Sequence, residues 1–233
     1  YQQSLALFLV KGLKNRFTTT KLRSKITKFT KPHEPSMWNA YHNTIEPKTN
    51  QRFLRIIEII KNLKDAQTVV ELGSNQGKFA SLIVENTQIQ KIIATDYDKE
   101  AVNIMYSNNK NKANFLTLLF DMVRTIGRKC DKDIKERIKS DMVISLAVTH
   151  HLILTQKIPI SYIFKTMKSL TNKYIIVDFM PIGLYGGDLE KTPAVPDYYT
   201  LDWFKDNFTN HFELILDEKL ELNRHVFVGK IKE

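Results

Sequence analysis

The chain has 233 residues, 42% hydrophobic and 26% charged, with a formal net charge of +10. That length buries a sizeable core and suits one domain with an appendage. The one cysteine, Cys130, excludes a disulfide framework within the chain and points to a reducing, cytoplasmic setting. No apolar run approaches the roughly 20 residues of a membrane helix.

The charge is unevenly spread. Residues 1–33 hold eight Lys/Arg and no Asp or Glu, whereas the rest holds 27 basic against 25 acidic residues. The arm "KGLKNRFTTTKLRSKITKFTK" is open to three readings. It is an interfacial helix on anionic lipid with Leu5, Phe8, Leu9, Leu13 and Phe17 as its apolar stripe, a contact to nucleic acid phosphates, or a solvated linker. "KPHEPS" marks the boundary, so residues 1–35 are expected to form a basic arm or linker and residues 36–233 one globular domain. The chain opens on Tyr1 rather than Met and is expected to be part of a longer, multidomain chain.

Past residue 50 the pattern alternates. "NQRFLRIIEIIKNLKD" (50–65) carries apolar residues at helical spacing. "TVVELG" (68–73) reads as a strand, "KFASLIVENT" as a helix, "KIIATDYD" (91–98) as a strand and "EAVNIMYSNNK" as a helix. "NFLTLLFD" (114–121) is a third strand, followed by a helix near "DKDIKERIKS". "DMVISLAV" (141–148) is a fourth strand, "ISYIFKTMKSLT" a helix and "KYIIVDFM" a fifth strand. "TLDWFKDNFTNH" is a helix, and "FELILDEKLEL" with "HVFVGKIKE" a closing antiparallel pair. Strands alternating with helices imply an α/β fold whose parallel sheet is covered on both faces.

In such a sheet, ligands bind beyond the carboxyl ends of the strands. The loop after the first strand, "ELGSNQGKF", is therefore the prime binding position. Gly73 and Gly77 permit a tight turn and close backbone approach, and Asn75 tolerates left-handed geometry. The stretch lacks the Gly-Lys-Ser/Thr ending of a nucleotide phosphate loop and the three-glycine dinucleotide spacing. Glu71 repels phosphate and attracts a cation. Asp96, ending the second strand, is placed to accept from ribose hydroxyls, while Asp98 suits a helix cap. A cationic nucleoside with a ribose and no phosphate fits S-adenosylmethionine (SAM).

On "VVELGSNQG", "ATDYD", "LLFD", "DMVISLAVTHHL" and the terminal strand pair, residues 66–233 resemble the class I SAM-dependent methyltransferases. The resemblance implies a Rossmann-like, seven-stranded, mostly parallel sheet with an antiparallel last strand and helices on both faces. It implies SAM as cofactor and S-adenosylhomocysteine (SAH) as product. It places Glu71, Gly73, Ser74, Asn75 and Gly77 on the amino acid part of SAM. Asp96 falls on ribose, Tyr97 near adenine, Asp121 with Met122 on the adenine amine, and Leu146 on the cofactor side of the fourth strand's end. Asn75 departs from the family's usual glycine. More narrowly, "LAVTHHL" with "SMWNAY" looks like the nodulation-protein-type methyltransferases, associated with sugar and surface-glycan modification.

The end of the fourth strand faces the acceptor in this family. It reads "SLAVTHH", without the Asn/Asp-Pro-Pro-aromatic or Pro-Cys motifs of base methylation. Asp141 stands at the wrong end of the strand for a Mg²⁺-catechol site, and adjacent histidines lack helical metal-pair spacing. His150 and His151 remain as candidate bases for a hydroxyl acceptor, since imidazole titrates near neutral pH. Their adjacency predicts that they point in different directions and that one reaches the substrate, with His150 favoured because it lies nearer the strand end. Trp38, Tyr41 and Tyr185, the last in a glycine-rich loop suited to moving, are candidate substrate contacts.

Each residue also has a structural reading: the acids as caps, the aromatics as core anchors, one histidine as packing. Two further functions stay open. One is a nucleic-acid (RNA) methyltransferase or binding module led by the basic arm. The other is a silent partner domain of the same fold. The expected location is cytoplasmic, with peripheral membrane contact through the arm.

Overall fold

The computed structural model describes residues 46–123 and 129–232, with side chains from residue 134 onward in the helix that begins at Lys129. The basic arm, Trp38, Tyr41 and the side chain of Cys130 lie outside the described residues.

Seven strands form one sheet in the order β3-β2-β1-β4-β5-β7-β6. They are β1 (Thr68–Leu72), β2 (Lys91–Asp96), β3 (Phe115–Leu119), β4 (Ser140–Ser145), β5 (Thr171–Phe179), β6 (Phe212–Glu221) and β7 (Arg224–Ile231). Strands β1 to β5 pair in parallel, and β7 runs antiparallel to both β5 and β6. The order reverses between β1 and β4, which opens a crevice at their carboxyl ends. Because β7 is reversed, its first residue, Arg224, lies at that same end of the sheet.

The central strands are near-continuous Val and Ile because both faces are buried. One face carries Val70, Leu72, Val143, Ile175, Val177 and Phe227. It packs under α5 (Ile160–Ser169) and α6 (Leu201–His211), where Phe164 lies edge-on to Phe204 and Phe208. The other carries Val69, Ile92, Met142, Ile144, Ile176 and Val228. It packs under α1 (Gln51–Asn62), α2 (Lys78–Asn86) and α3 (Lys99–Asn109). A further helix among the described residues, α4 (Lys129–Ile138), precedes β4.

Helix starts follow their caps. Asn50 accepts from the Phe53 amide, Asp98 from Glu100 and Ala101, and Thr200 from Trp203. Asp141, at the start of β4, takes the Gln67 and Thr68 amides and clamps β1 to β4 at the end remote from the crevice. No helix among the described residues is long and apolar enough to cross a membrane.

One sequence expectation changes here. The fourth strand stops at Ser145, three residues before the expected Val148. Ala147 turns into left-handed backbone at φ 59° and its amide leaves the ladder for Asp178. The chain then winds through a π-helical turn, His151–Thr155, before α5. Such turns recur at functional sites.

Candidate functional site

The loop after β1 is built by backbone geometry. Gly73 has φ +74°, and a Cβ there would lie 2.4 Å from Val148 Cγ2. Glycine is therefore required both by the turn and by the approach of the loop that follows β4. Gly77 has φ +76° and closes against Met105 of α3. Asn75 adopts φ 49°, as expected of a residue standing for glycine. Ser74 ties the loop down: its amide donates to the Thr95 carbonyl, and its hydroxyl donates to the Glu71 carbonyl and accepts from the Thr95 amide.

Glu71 is 4% exposed, and its Oε2 has no hydrogen-bond partner among the described residues. Burial pushes this carboxyl up to about 7. The Ser74 hydroxyl pulls the other way, and nearby Asp96 adds to the rise. A buried acid with an unused acceptor and no cationic partner among the described residues costs stability. A bound ammonium would relieve that cost.

Asp96 ends β2, 7% exposed. Oδ2 accepts from the Asn75 amide and Oδ1 from the Asp98 amide, both at 2.8 Å. Burial raises its pKa against the pull of these two N–H groups. Each oxygen keeps a second lone pair, so two hydroxyl donors can be accepted without breaking either bond. Asp98 caps α3 as expected. Tyr97 is 59% exposed beside the strand end, and the charge of Asp121 reaches it. Asp121 accepts from the Val123 amide, and Met122 is buried. Glu71, Asp96 and Asp121 thus occupy the carboxyl ends of three adjacent strands. The residues fit an ammonium-bearing nucleoside: an acid with an open oxygen, a diol acceptor, and an exposed aromatic ring.

The second half of the crevice is assembled from distant segments. Asp178, near the end of β5 and 2% exposed, accepts from the Ala147 amide through Oδ1 at 2.8 Å. Through Oδ2 it accepts from Arg224 Nη1, also at 2.8 Å. Its carbonyl takes the Thr149 hydroxyl. The ion pair therefore shapes the turn that presents the histidines. Asn223 accepts from the Ile182 amide and donates to the Gly183 carbonyl, anchoring the loop that carries the half-buried Tyr185.

His150 and His151 do not diverge. Their ring centroids are 3.9 Å apart with the planes tilted by 43°, at the entry to the π-helical turn that His150 precedes. His150 is 3% exposed, and burial first, then the charges of His151 and Arg224, hold its pKa down at about 2. It stays neutral throughout the physiological range. His151 is half-buried, and its pKa is lowered by burial and by Arg224. Of the two, His151 has the access a base needs. Leu146, just past the end of β4, is half-buried and packs against the core on the α1–α2 face.

Sequence reasoning missed Arg224, Ser145 and Tyr199. Ser145 and Tyr199 are buried with hydroxyls that find no partner among the described residues. Arg224 sits in "LNRHV" with no motif around it, and only the β5–β7 register, Asp178 opposite Val226, brings it to the site.

A seven-stranded sheet of this order, with its one reversed strand and an acid-bearing glycine loop at the switch point, is the Rossmann-like methyltransferase fold. No family model and no curated protein sequence matches the chain. Solved structures do. The N-methyltransferase NodS from Bradyrhizobium japonicum WM9, in complex with SAH, matches with a TM-score of 0.61 and 10% identity, covering 86% of this chain and 95% of that one. The PH0226 protein from Pyrococcus horikoshii OT3 matches at 0.59 and 14%, covering 82% and 98%. The methyltransferase domain of bacterial CtHen1-C matches at 0.59 and 15%, covering 78% and 98%. At these identities the likeness is one of fold.

Proposed function

We propose that the chain is a SAM-dependent methyltransferase. The observation that carries this reading is Glu71: a buried carboxylate with an unused oxygen, in a left-handed glycine loop next to Asp96. When bound, SAM supplies an electrophilic methyl on its sulfonium. Glu71 holds the ammonium end, Ser74, Asn75 and the two glycines hold the loop close, and Asp96 holds ribose. Tyr97, Asp121, Met122 and Leu146 enclose the base and the reacting end.

The acceptor is a hydroxyl, favoured by two imidazoles at the end of β4 and by the sugar-associated resemblance of "LAVTHHL" and "SMWNAY". His151 takes the hydroxyl proton, and His150, too weakly basic to hold one, packs against it and fixes its orientation. Positioning supplies much of the rate. Trp38, Tyr41 and Tyr185 are assigned to substrate, residues 36–233 to the catalytic domain, and residues 1–35 to a basic arm meeting an anionic surface. A second reading has one specific support. Both histidines are weaker bases than free imidazole, which suits an amine acceptor that carries its own lone pair once deprotonated by solvent.

The test is incubation with methyl-labelled SAM and a panel of hydroxyl sugars and the matching amino sugars, alongside His151→Ala and His150→Gln. The account expects label on a hydroxyl sugar, a loss of about 10²-fold or more in His151→Ala and a smaller loss in His150→Gln. Label confined to amino sugars and insensitive to His151 would replace the base mechanism. Absence of any bound SAM would remove the enzyme reading.

A further inference from the structure

Arg224 is 6% exposed, and among the described residues its ion pair uses a single nitrogen, Nη1, toward Asp178. A guanidinium carries five N–H donors in a rigid fork, and buried donors left unmatched cost free energy. Among the described residues no other group accepts from Arg224. About 7% of the Arg224 side-chain surface stays exposed, and no acceptor among the described residues occupies the edge formed by Nε and Nη2. Asp178 cannot swing to cover that edge, because its other oxygen holds the Ala147 amide.

The local field is also uneven. The positive charge of Arg224 is felt at both His150 and His151, where it adds to burial in lowering their pKa values. Asp178 lies on the same face of the sheet as Glu71, two strands away by the β1–β4–β5 pairing, which is a lateral offset of roughly 10 Å.

We propose that the methyl acceptor carries a carboxylate, and that this group docks two-pronged on the open Nε–Nη2 edge of Arg224 while Asp178 holds the opposite side of the fork. The proposal rests on the methyltransferase reading for the word acceptor, but the anion site stands or falls separately. Parallel N–H groups of one edge match the two oxygens of a carboxylate. A phosphate would bring more charge and a third oxygen than one half-neutralised arginine can serve. Arg224 thereby selects an acidic acceptor, such as an acidic sugar, over its neutral counterpart, and sets the acceptor's orientation under His151. Asn223, next in the chain, couples that docking to the loop bearing Tyr185.

The experiment is arginine Nε–H nuclear magnetic resonance on the full chain, labelled with ¹⁵N-arginine. The Arg224 signal is assigned by its loss in Arg224→Lys, or by through-bond correlation to its own backbone if that variant does not fold. Sodium acetate, sodium chloride and inorganic phosphate are titrated at matched ionic strength, with and without SAH. The proposal expects a saturable shift with acetate, at least about tenfold larger than with chloride, and weaker displacement by phosphate. Equal response to chloride and acetate, or no response, would overturn the site, and preference for phosphate would overturn the carboxylate assignment. The backbone amides of Asn75 and Tyr97 report SAH in the same samples. If Arg224 responds and they do not, the anion site survives and the cofactor reading fails; the reverse pattern removes the anion site alone.

Discussion

The two halves of the crevice solve different problems. At the ends of β1, β2 and β3, side chains are held by backbone from neighbouring turns: Asp96 by the Asn75 and Asp98 amides, Asp121 by the Val123 amide. At the ends of β4, β5 and β7, side chains hold one another across long stretches of sequence, as Asp178 does with Arg224. The first half buries an acid that wants its proton, the second an imidazole that refuses one. Glu71 has a folded pKa near 7 against an ordinary 4.5. The folded chain therefore binds that proton more tightly than the unfolded chain does, and stability falls as pH rises from about 4.5 to about 7. His150 is the opposite. Its pKa of about 2 lies below the ordinary 6.5, so its contribution is present above about 6.5 and is lost as pH falls toward 2. One half destabilises the fold at neutral pH in readiness for a cation, and the other costs nothing there because its imidazole stays neutral and is penalised only as pH falls below about 6.5.

The sharpest way to break this contrast is Glu71→Gln. The amide removes a charge the fold tolerates poorly, so the ligand-free protein should gain about 3 kcal/mol at pH 8 and little at pH 4.5, read by urea unfolding at the two pH values. The same variant should bind SAH about a hundredfold more weakly. A variant that is neither stabilised nor impaired would mean that Glu71 is not held as described. Asp96→Asn comes next. It removes one acceptor oxygen, so SAH affinity should fall by about ten- to thirtyfold, with a stability loss because the Asn75 or Asp98 amide loses its carboxylate; unchanged affinity would detach Asp96 from ribose.

Gly73→Ala tests the contact between the halves. The methyl meets Val148 and the backbone is left-handed, so a loss of about 2 kcal/mol is expected. Adding Val148→Ala should recover the steric part and leave the backbone part. No recovery would show that the two loops are not in contact. The smallest effect is expected from Tyr97→Ala. Its ring is exposed before any ligand arrives, so stability should be unchanged and SAH affinity lowered by about fivefold, the worth of one stacking contact.

The same contrast explains what the sequence made legible. Glu71, Gly73, Asn75, Gly77, Asp96 and Asp121 each lie at the junction of a strand and the turn after it. Alternating strands and helices place those junctions together without knowledge of side-chain packing. The antiparallel last strand was readable for the same reason, from its own pattern. The acceptor half was not. The early stop of β4 at Ser145 depends on the Asp178 carboxylate, 31 positions away from Ala147, and "DMVISLAV" alone continues to look like strand. The His150 and His151 rings meet where a π-helical turn begins, and that turn has no local signal in "THHLILT". Arg224 depends on a register between β5 and β7 that composition does not report.

The most direct measurement is calorimetric titration of the chain with SAH at about pH 6, in phosphate and in imidazole buffer, with Glu71→Gln alongside. At that pH the ligand's amine is already fully protonated, since α-amino groups titrate near 7.7–8.0, so any proton released comes from the protein. Glu71 must ionise to meet the ammonium, and the account predicts saturable binding with release of close to one proton, absent in Glu71→Gln. Binding heats that do not depend on the buffer, or no binding at all, would contradict the assignment of Glu71 as the cofactor's carboxylate.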